Sequence, residues 1–338
     1  MKKKPKILVI DDEPVILDSV RRILTAEGFP VLTAEDAESA LQILKTDPHD
    51  IAICDLMLPG MSGLKFLETS QTNDPSLVVI ITTGYSTVDN GVDSLRKGAF
   101  DFLPKPFTFE ELISQVHRAG RFAGLPLKLR LQPPSADFTG CHFLGSQTWA
   151  RPDVDGSWLL GLTAMLLQTI DPIRSIEFPD ADGELYQGGI LVHVTTEDDL
   201  VHNAWSPLSG EILLINDRLQ KAPDLPHQDP VTTGWLLRIL PANLKQEISA
   251  LTVADPQRRI SCFEWLWPAS SLMALHAARR NSRLRWHGHE GSFDRAEDDR
   301  IRSFGLHPLH SLSTVRLRNG QQGREAAGSG FRSCACRR

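Results

Sequence analysis

Five times within the first 120 residues a short aliphatic run is followed by a segment with apolar residues at helical spacing. That alternation constrains the chain more than any other feature it has. Strands buried on both faces read as continuous apolar runs, and the helices between them must cross over to reach parallel neighbours. The expected fold is therefore α/β, a doubly wound five-stranded parallel sheet of flavodoxin-like type over residues 1–122. Strands are expected at 6–10, 29–33, 51–54, 77–82 and 101–103, and helices at 14–27, 37–45, 63–71, 87–97 and 109–122. Gly28 and Gly98 stand where helices end in a left-handed residue. Thr108 with Glu111 makes a capping box for the last helix. Cys54, inside a strand, reads as a small buried apolar residue.

In such a sheet the chemistry gathers beyond the carboxyl ends of the strands. The first strand ends in Asp11 and Asp12, the third in Asp55, the fourth in Thr83 and the fifth in Lys105. Carboxylates brought to 4 Å repel by about 4 kcal/mol per pair at an effective dielectric near 20, so positive charge is required. Lys105 supplies one, and Mg2+, which takes one or two carboxylates with waters and phosphate oxygens, is the cation that suits the rest.

These residues resemble the response-regulator receiver domain of two-component systems. The likeness rests on the acidic pair, Asp55-Leu56-Met57-Leu58-Pro59 with Gly63, Thr83-Gly84-Tyr85 and Lys105-Pro106-Phe107. It implies that Asp55 is the phosphoacceptor, and that Asp12, Asp55 and the Met57 carbonyl hold Mg2+ with Asp11 assisting. It also implies that Thr83 binds phosphoryl oxygens, that Lys105 pairs with the phosphate, and that Phe102 turns toward a buried rotamer on activation. The partner implied is a sensor histidine kinase, or a histidine phosphotransferase if the domain is a relay intermediate. Such a chain is a regulatory phosphoacceptor and not an enzyme, beyond its own phosphorylation and dephosphorylation.

Gly124-Leu125-Pro126 and Gln132-Pro133-Pro134-Ser135 punctuate a linker over 123–137. Beyond it the texture changes: all seven Trp lie at or after Trp149, and β-type runs separated by turns fill 138–250. An all-β sandwich or barrel is expected there. Its motifs resemble the lipoyl-bearing H protein of the glycine cleavage system: Gln147-Thr148-Trp149, Gly161-Leu162-Thr163, Glu177-Phe178-Pro179, Trp205 to Gly210 with Glu211, Asn216-Asp217 and Gly234-Trp235. In that family the lipoylated lysine lies on a hairpin seven residues before the serine that matches Ser206. Here that position is Asp199, and no lysine occurs between Lys128 and Lys221. A carboxylate cannot form the lipoyl amide, so no lipoate is expected. The acidic tip of Glu197, Asp198 and Asp199 reads either as a solvated turn or as a docking surface for an unidentified protein partner.

Charge divides the chain again. Up to Pro256 there are 21 Lys and Arg against 35 Asp and Glu, net −14, and from Gln257 onward 15 against 7, net +8. Aliphatic periodicity is lost in the last stretch, so 251–338 is expected to be a disordered or non-native tail, dispensable beyond Ala250. His287 and His289 lack a matching Cys pair for a metal, and Trp265, Leu266 and Trp267 are followed by helix-breaking Pro268. Specific nucleic-acid binding through the Arg-rich tail is the weaker alternative for the output. The longest chargeless apolar stretch, 156–170, is 15 residues, short of the ~18 a spanning helix needs. The five cysteines, an odd number, fit free thiols. No membrane contact and a cytoplasmic location are expected.

Overall fold

All five apolar runs form parallel strands: β1 (Ile7–Ile10), β2 (Val31–Ala34), β3 (Ile51–Asp55), β4 (Val78–Thr83) and β5 (Asp101–Pro104). They lie in the order β2-β1-β3-β4-β5, as a doubly wound sheet requires. The crossovers are α1 (Pro14–Ala26), α2 (Ala37–Thr46), α3 (Gly63–Asn73), α4 (Val88–Arg96) and α5 (Phe109–Gly124). This computed structural model describes residues 4–84, 88–130, 138–178 and 183–253. Local chemistry places the helix ends. Gly28 and Gly98 adopt φ of +77° and +96°, and Thr108 and Glu111 bond reciprocally at the start of α5. β1, β3 and β4 are buried along their whole length because helices cover both faces.

A short helix α6 (Leu127–Arg130) follows, and the second region is antiparallel throughout. One sheet has seven strands in the order β10-β13-β14-β8-β7-β6-β15, and the other has three in the order β12-β11-β9. Their ranges are β6 (His142–Leu144), β7 (Thr148–Pro152), β8 (Trp158–Leu162), β9 (Ile173–Glu177), β10 (Glu184–Leu185), β11 (Ile190–Thr196), β12 (Val201–Trp205), β13 (Gly210–Ile215), β14 (Leu237–Pro241) and β15 (Thr252–Val253). The chargeless stretch at 156–170 supplies the buried strand β8 and a short helix α7 (Ala164–Thr169). No helix among the described residues is long and apolar enough to cross a membrane.

Two expectations about organisation need correction. The sheet runs past the boundary drawn at 250: Leu251 is buried, and Thr252 and Val253 pair with Phe143 and His142 of β6. Nor does each region keep its apolar residues wholly to itself, although each also has a cluster of its own. One apolar cluster runs from Leu8 and Cys54 through Leu95 and Phe102 into Leu144, Leu160 and Trp205. The described residues form one compact unit. The expected features of the tail, Trp265, Leu266, Trp267, His287, His289, Cys334 and Cys336, lie outside the described residues, as do Tyr85, Pro179 and the proline pair of the linker.

Candidate functional site

Asp55 is the last residue of β3 and Asp11 follows β1, and the parallel register of the two strands brings both carboxylates to the same edge. Lys105, just past β5, lies between them, its Nζ 2.6 Å from Asp11 Oδ2 and 2.7 Å from Asp55 Oδ1. Each carboxylate also accepts a backbone N–H: Asp55 from Met57 at 2.6 Å, Asp11 from Glu13 at 3.0 Å. Burial pulls the Lys105 ammonium down, but its bonds to Asp11 and Asp55 outweigh that, so its pKa stands above the ordinary lysine value. Thr83 is buried at the end of β4, where its carbonyl accepts the Lys105 N–H at 2.6 Å.

Two of the three expected carboxylates are buried at this edge. Asp11 is 2% exposed and Asp55 5%, whereas Asp12 faces solvent, because successive residues of an extended segment point to opposite sides. Among the described residues no group of three acids, histidines or cysteines is gathered closely enough to hold a metal ion. What the edge offers is two buried carboxylates beside the Met57 backbone, with Lys105 as the cation in place. A cleft of about 520 Å³ opens next to it, lined in part by Ile16, Ile23, Gly84, Lys105 and Phe107.

The opposite end of β5 is buried under the second region. Phe102 stacks on Trp205 of β12, centroids 4.2 Å apart and planes 21° from parallel, and the Trp205 indole N–H donates to Asp101 Oδ1 at 2.8 Å. Phe102 is thus already 2% exposed. Trp205 supplies the cover on this side. On its other side the ring abuts α4 at Gly91, where a Cβ would lie 2.7 Å from it. Asp101 also pairs with Arg118 of α5, and Gln147 accepts from Arg118 at 3.3 Å. Burial pulls the Arg118 guanidinium down, and Asp101 is the counter-charge that keeps it ionised. Further along α5, Ser114 donates to the Val201 carbonyl at 2.6 Å and meets His202 Nδ1 at 2.7 Å. Burial first, then Arg118 and Arg121, pull His202 down to about 3.

The acidic hairpin tip ends at the rim of this seam. Asp198 pairs with Arg121 of α5 at 2.9 Å, and the same guanidinium reaches Asp171 at 2.5 Å. Asp199, in the left-handed region at φ +63°, pairs with Arg174 of β9. The tip is exposed, and two of its three acids are matched by arginines. Asp101, Ser114, Arg118 and Arg121 belong to no motif of the sequence. Their signal was a polar stripe at 114, 118 and 121 on α5, which in an isolated domain means a solvated face.

A family model for the response regulator receiver domain matches residues 7–117, and one for the glycine cleavage H-protein matches 141–260. Among curated relatives, the DNA-binding transcriptional regulator NtrC of Klebsiella pneumoniae is 35% identical over 135 residues, 39% of this chain and 29% of that protein. The probable transcriptional regulatory protein TcrX of Mycobacterium tuberculosis is 34% identical over 119 residues, 35% of this chain and 51% of that protein. This chain thus spans about half or less of each. Among solved structures, a receiver domain protein from Clostridium thermocellum is 36% identical, covering 34% of this chain and 93% of that one with a TM-score of 0.33.

Proposed function

Because the chain carries a response regulator receiver domain followed by a glycine cleavage H-protein domain, we propose that it is a two-component response regulator. It takes a phosphoryl group on Asp55 from the phosphohistidine of a sensor kinase or phosphotransferase, and it signals by protein contact through the second domain. The observation that carries this reading is the Asp55 carboxylate at the open edge of the sheet with the Lys105 ammonium 2.7 Å away. In the transfer an Asp55 oxygen attacks phosphorus, the bond from phosphorus to the imidazole nitrogen breaks, and the histidine, already protonated on its other ring nitrogen, takes the electron pair and leaves as neutral imidazole. Such a reaction asks the protein for an in-line nucleophile and for neutralisation of the equatorial oxygens. Lys105 serves the second need, and Thr83, at the end of the adjacent strand, offers a hydroxyl donor.

The donor set fits Mg2+. Asp11, Asp55 and the Met57 carbonyl would hold it, with Asp12 at the solvent side, and it would add positive charge where the phosphoryl oxygens gather. The cleft between α1 and the start of α5, flanked by exposed Val15 and Phe109, is the docking place for the donor protein. The second domain carries no lipoate, since Asp199 stands where the amine is needed, and no catalytic role is assigned to it.

Incubation of the full chain with Mg2+ and acetyl phosphate is expected to add one hydroxylamine-labile phosphoryl group, and Asp55→Asn to abolish it. Labelling retained in that variant overturns the assignment. Intact mass after co-expression with a lipoylation system should show no adduct.

A further inference from the structure

One face of the seven-stranded sheet is covered at one end and open at the other. Register across β7, β8 and β14 puts Trp149, Leu159 and Arg238 on one side of it, because residues directly opposite, and those two apart along a strand, share a face. The same side continues through Leu214 and Leu240 to Glu211 and Glu184. Over β7 and β8 it is buried, and Phe138, Cys141 and Val231 complete a cluster with Trp149 and Leu159. Over β13 and β14 it stays open to water. Leu214 and Leu240 are 44% and 46% exposed and are diagonal neighbours, about 7–8 Å apart. Leu213, at a bulge in β13, adjoins them and is 48% exposed.

The border of this apolar patch is acidic. Glu184 and Glu211 stand directly opposite each other, both exposed. Among the described residues no lysine or arginine pairs with either, and Glu184 meets the exposed Tyr186 hydroxyl at 3.5 Å. The cations of this side are engaged elsewhere, Arg151 over the Trp149 ring and Arg238 with Asp153 at 2.7 Å. Like charges directly opposite destabilise a sheet, and leucines left in water forgo burial. A partner that brings apolar side chains to the leucines and cations to the glutamates relieves both. An apolar centre with a charged rim is also the anatomy of a protein interface.

We propose that this face of the second domain receives an amphipathic segment of a partner protein, its apolar side on Leu213, Leu214 and Leu240 and its lysines or arginines against Glu184 and Glu211. This names the surface for the protein contact proposed above and rests on that reading, but not on Asp55. A second copy of the chain fits less well, because its own face has no disengaged cation to offer the glutamates.

The test titrates the full chain into a fluorescein-labelled helical peptide of leucine and lysine, with the same peptide carrying glutamate for lysine as control. The lysine peptide is expected to bind and the glutamate peptide not. Leu214→Ser with Leu240→Ser should weaken binding about tenfold or more. Glu184→Gln with Glu211→Gln should weaken it about two- to tenfold and flatten its salt dependence, whereas Glu197→Gln at the remote hairpin should leave it unchanged. Hydrogen exchange should slow in β13 and β14 when the peptide binds. No binding, or equal binding by all the folded variants, overturns this surface. Protection elsewhere in the second domain does so too but leaves contact through that domain standing, whereas protection confined to the receiver overturns both. Binding by a chain ended after Val253 but not by the full chain makes the net +8 stretch from Gln257 onward the occupant and overturns the partner. A dimer in sedimentation that the leucine variant dissolves makes a second copy the occupant and does the same. If the leucine variant fails to fold, the glutamine pair decides.

Discussion

Two ion clusters share strand β5 and are built for opposite ends. At Lys105 the ammonium keeps some contact with water, and each carboxylate it meets has a backbone N–H as well. At Arg118 both partners are sealed, the guanidinium side chain 2% exposed and the Asp101 carboxylate not at all. A cluster that water reaches can take on a new charge, because solvent and mobile ions share the cost. A sealed pair cannot, because each ion alone would carry several kcal/mol of desolvation. The difference teaches that this chain keeps an ion cluster that water reaches apart from one that is sealed, with three residues between Asp101 and Lys105.

The sharpest way to break that comparison is at the sealed end. Arg118→Met leaves Asp101 buried without its counter-charge and is expected to cost about 3–5 kcal/mol of stability. Asp101→Leu combined with Arg118→Met removes both charges and should recover most of the loss, less the bond from Trp205. Denaturant unfolding of the three proteins measures this. If the double variant is no better than the single one, Asp101 and Arg118 do not offset each other's burial.

Why this seam was not legible in the sequence is a matter of context. The five strands and five helices were readable because two-sided burial writes itself as unbroken apolar runs such as Val78 to Ile81, and because Gly28, Gly98 and Thr108 mark helix ends by local chemistry. The edge of Asp11, Asp55 and Lys105 was readable because strand ends in a parallel sheet have only one place to go. Arg118 and Ser114, in contrast, are polar residues on a helix, and local periodicity assigns them to water. Only tertiary partners far along the chain, Gln147 for Arg118 and Val201 with His202 for Ser114, turn that face inward. Trp205 was conspicuous as part of a motif, yet nothing near it in sequence says that it caps Phe102. Asp12 is exposed beside buried Asp11 because adjacent residues of an extended segment point to opposite sides.

A cut in the second domain remote from both clusters tests whether damage there is general. Ending the chain after Ala250 removes Leu251, which is buried, and the β15 pairing with β6. It is expected to cost about 1.5–3 kcal/mol, the range for burying a leucine side chain, whereas ending after Val253 should spare these contacts. Thermal unfolding of the two truncations distinguishes them. Equal melting points would show that β15 contributes nothing.

Acid should act on the seam through His202. Its folded pKa is held near 3 by burial, and the unfolded value is about 6.5. Between those values the unfolded chain binds the extra proton, so stability from this group is complete above about pH 6.5 and falls as pH is lowered toward 3. One proton amounts to about 1.4 kcal/mol per pH unit, or about 2 kcal/mol at pH 5. His202→Gln should flatten the stability profile in that window relative to the unaltered chain. An unchanged slope would place the imidazole in contact with water.

The smallest expected effect separates two neighbouring acids. Asp198 crosses the seam to Arg121, while Asp199 pairs with Arg174 inside its own domain. Both are surface pairs, and such pairs contribute about 0.2–1 kcal/mol at most. Asp198→Asn should therefore weaken the rim by an amount in that range, and the loss should shrink at high salt as screening replaces the carboxylate. The Asp199 side chain is 78% exposed, and Asp199→Asn, which also tolerates the left-handed backbone, should leave stability unchanged. If the tip were an open docking patch instead, the two substitutions would slow association with an Arg-rich partner alike and neither would touch the seam. Hydrogen exchange along α5 and β12 in the two variants tells these cases apart, because only loss of the Asp198 pair should quicken exchange there.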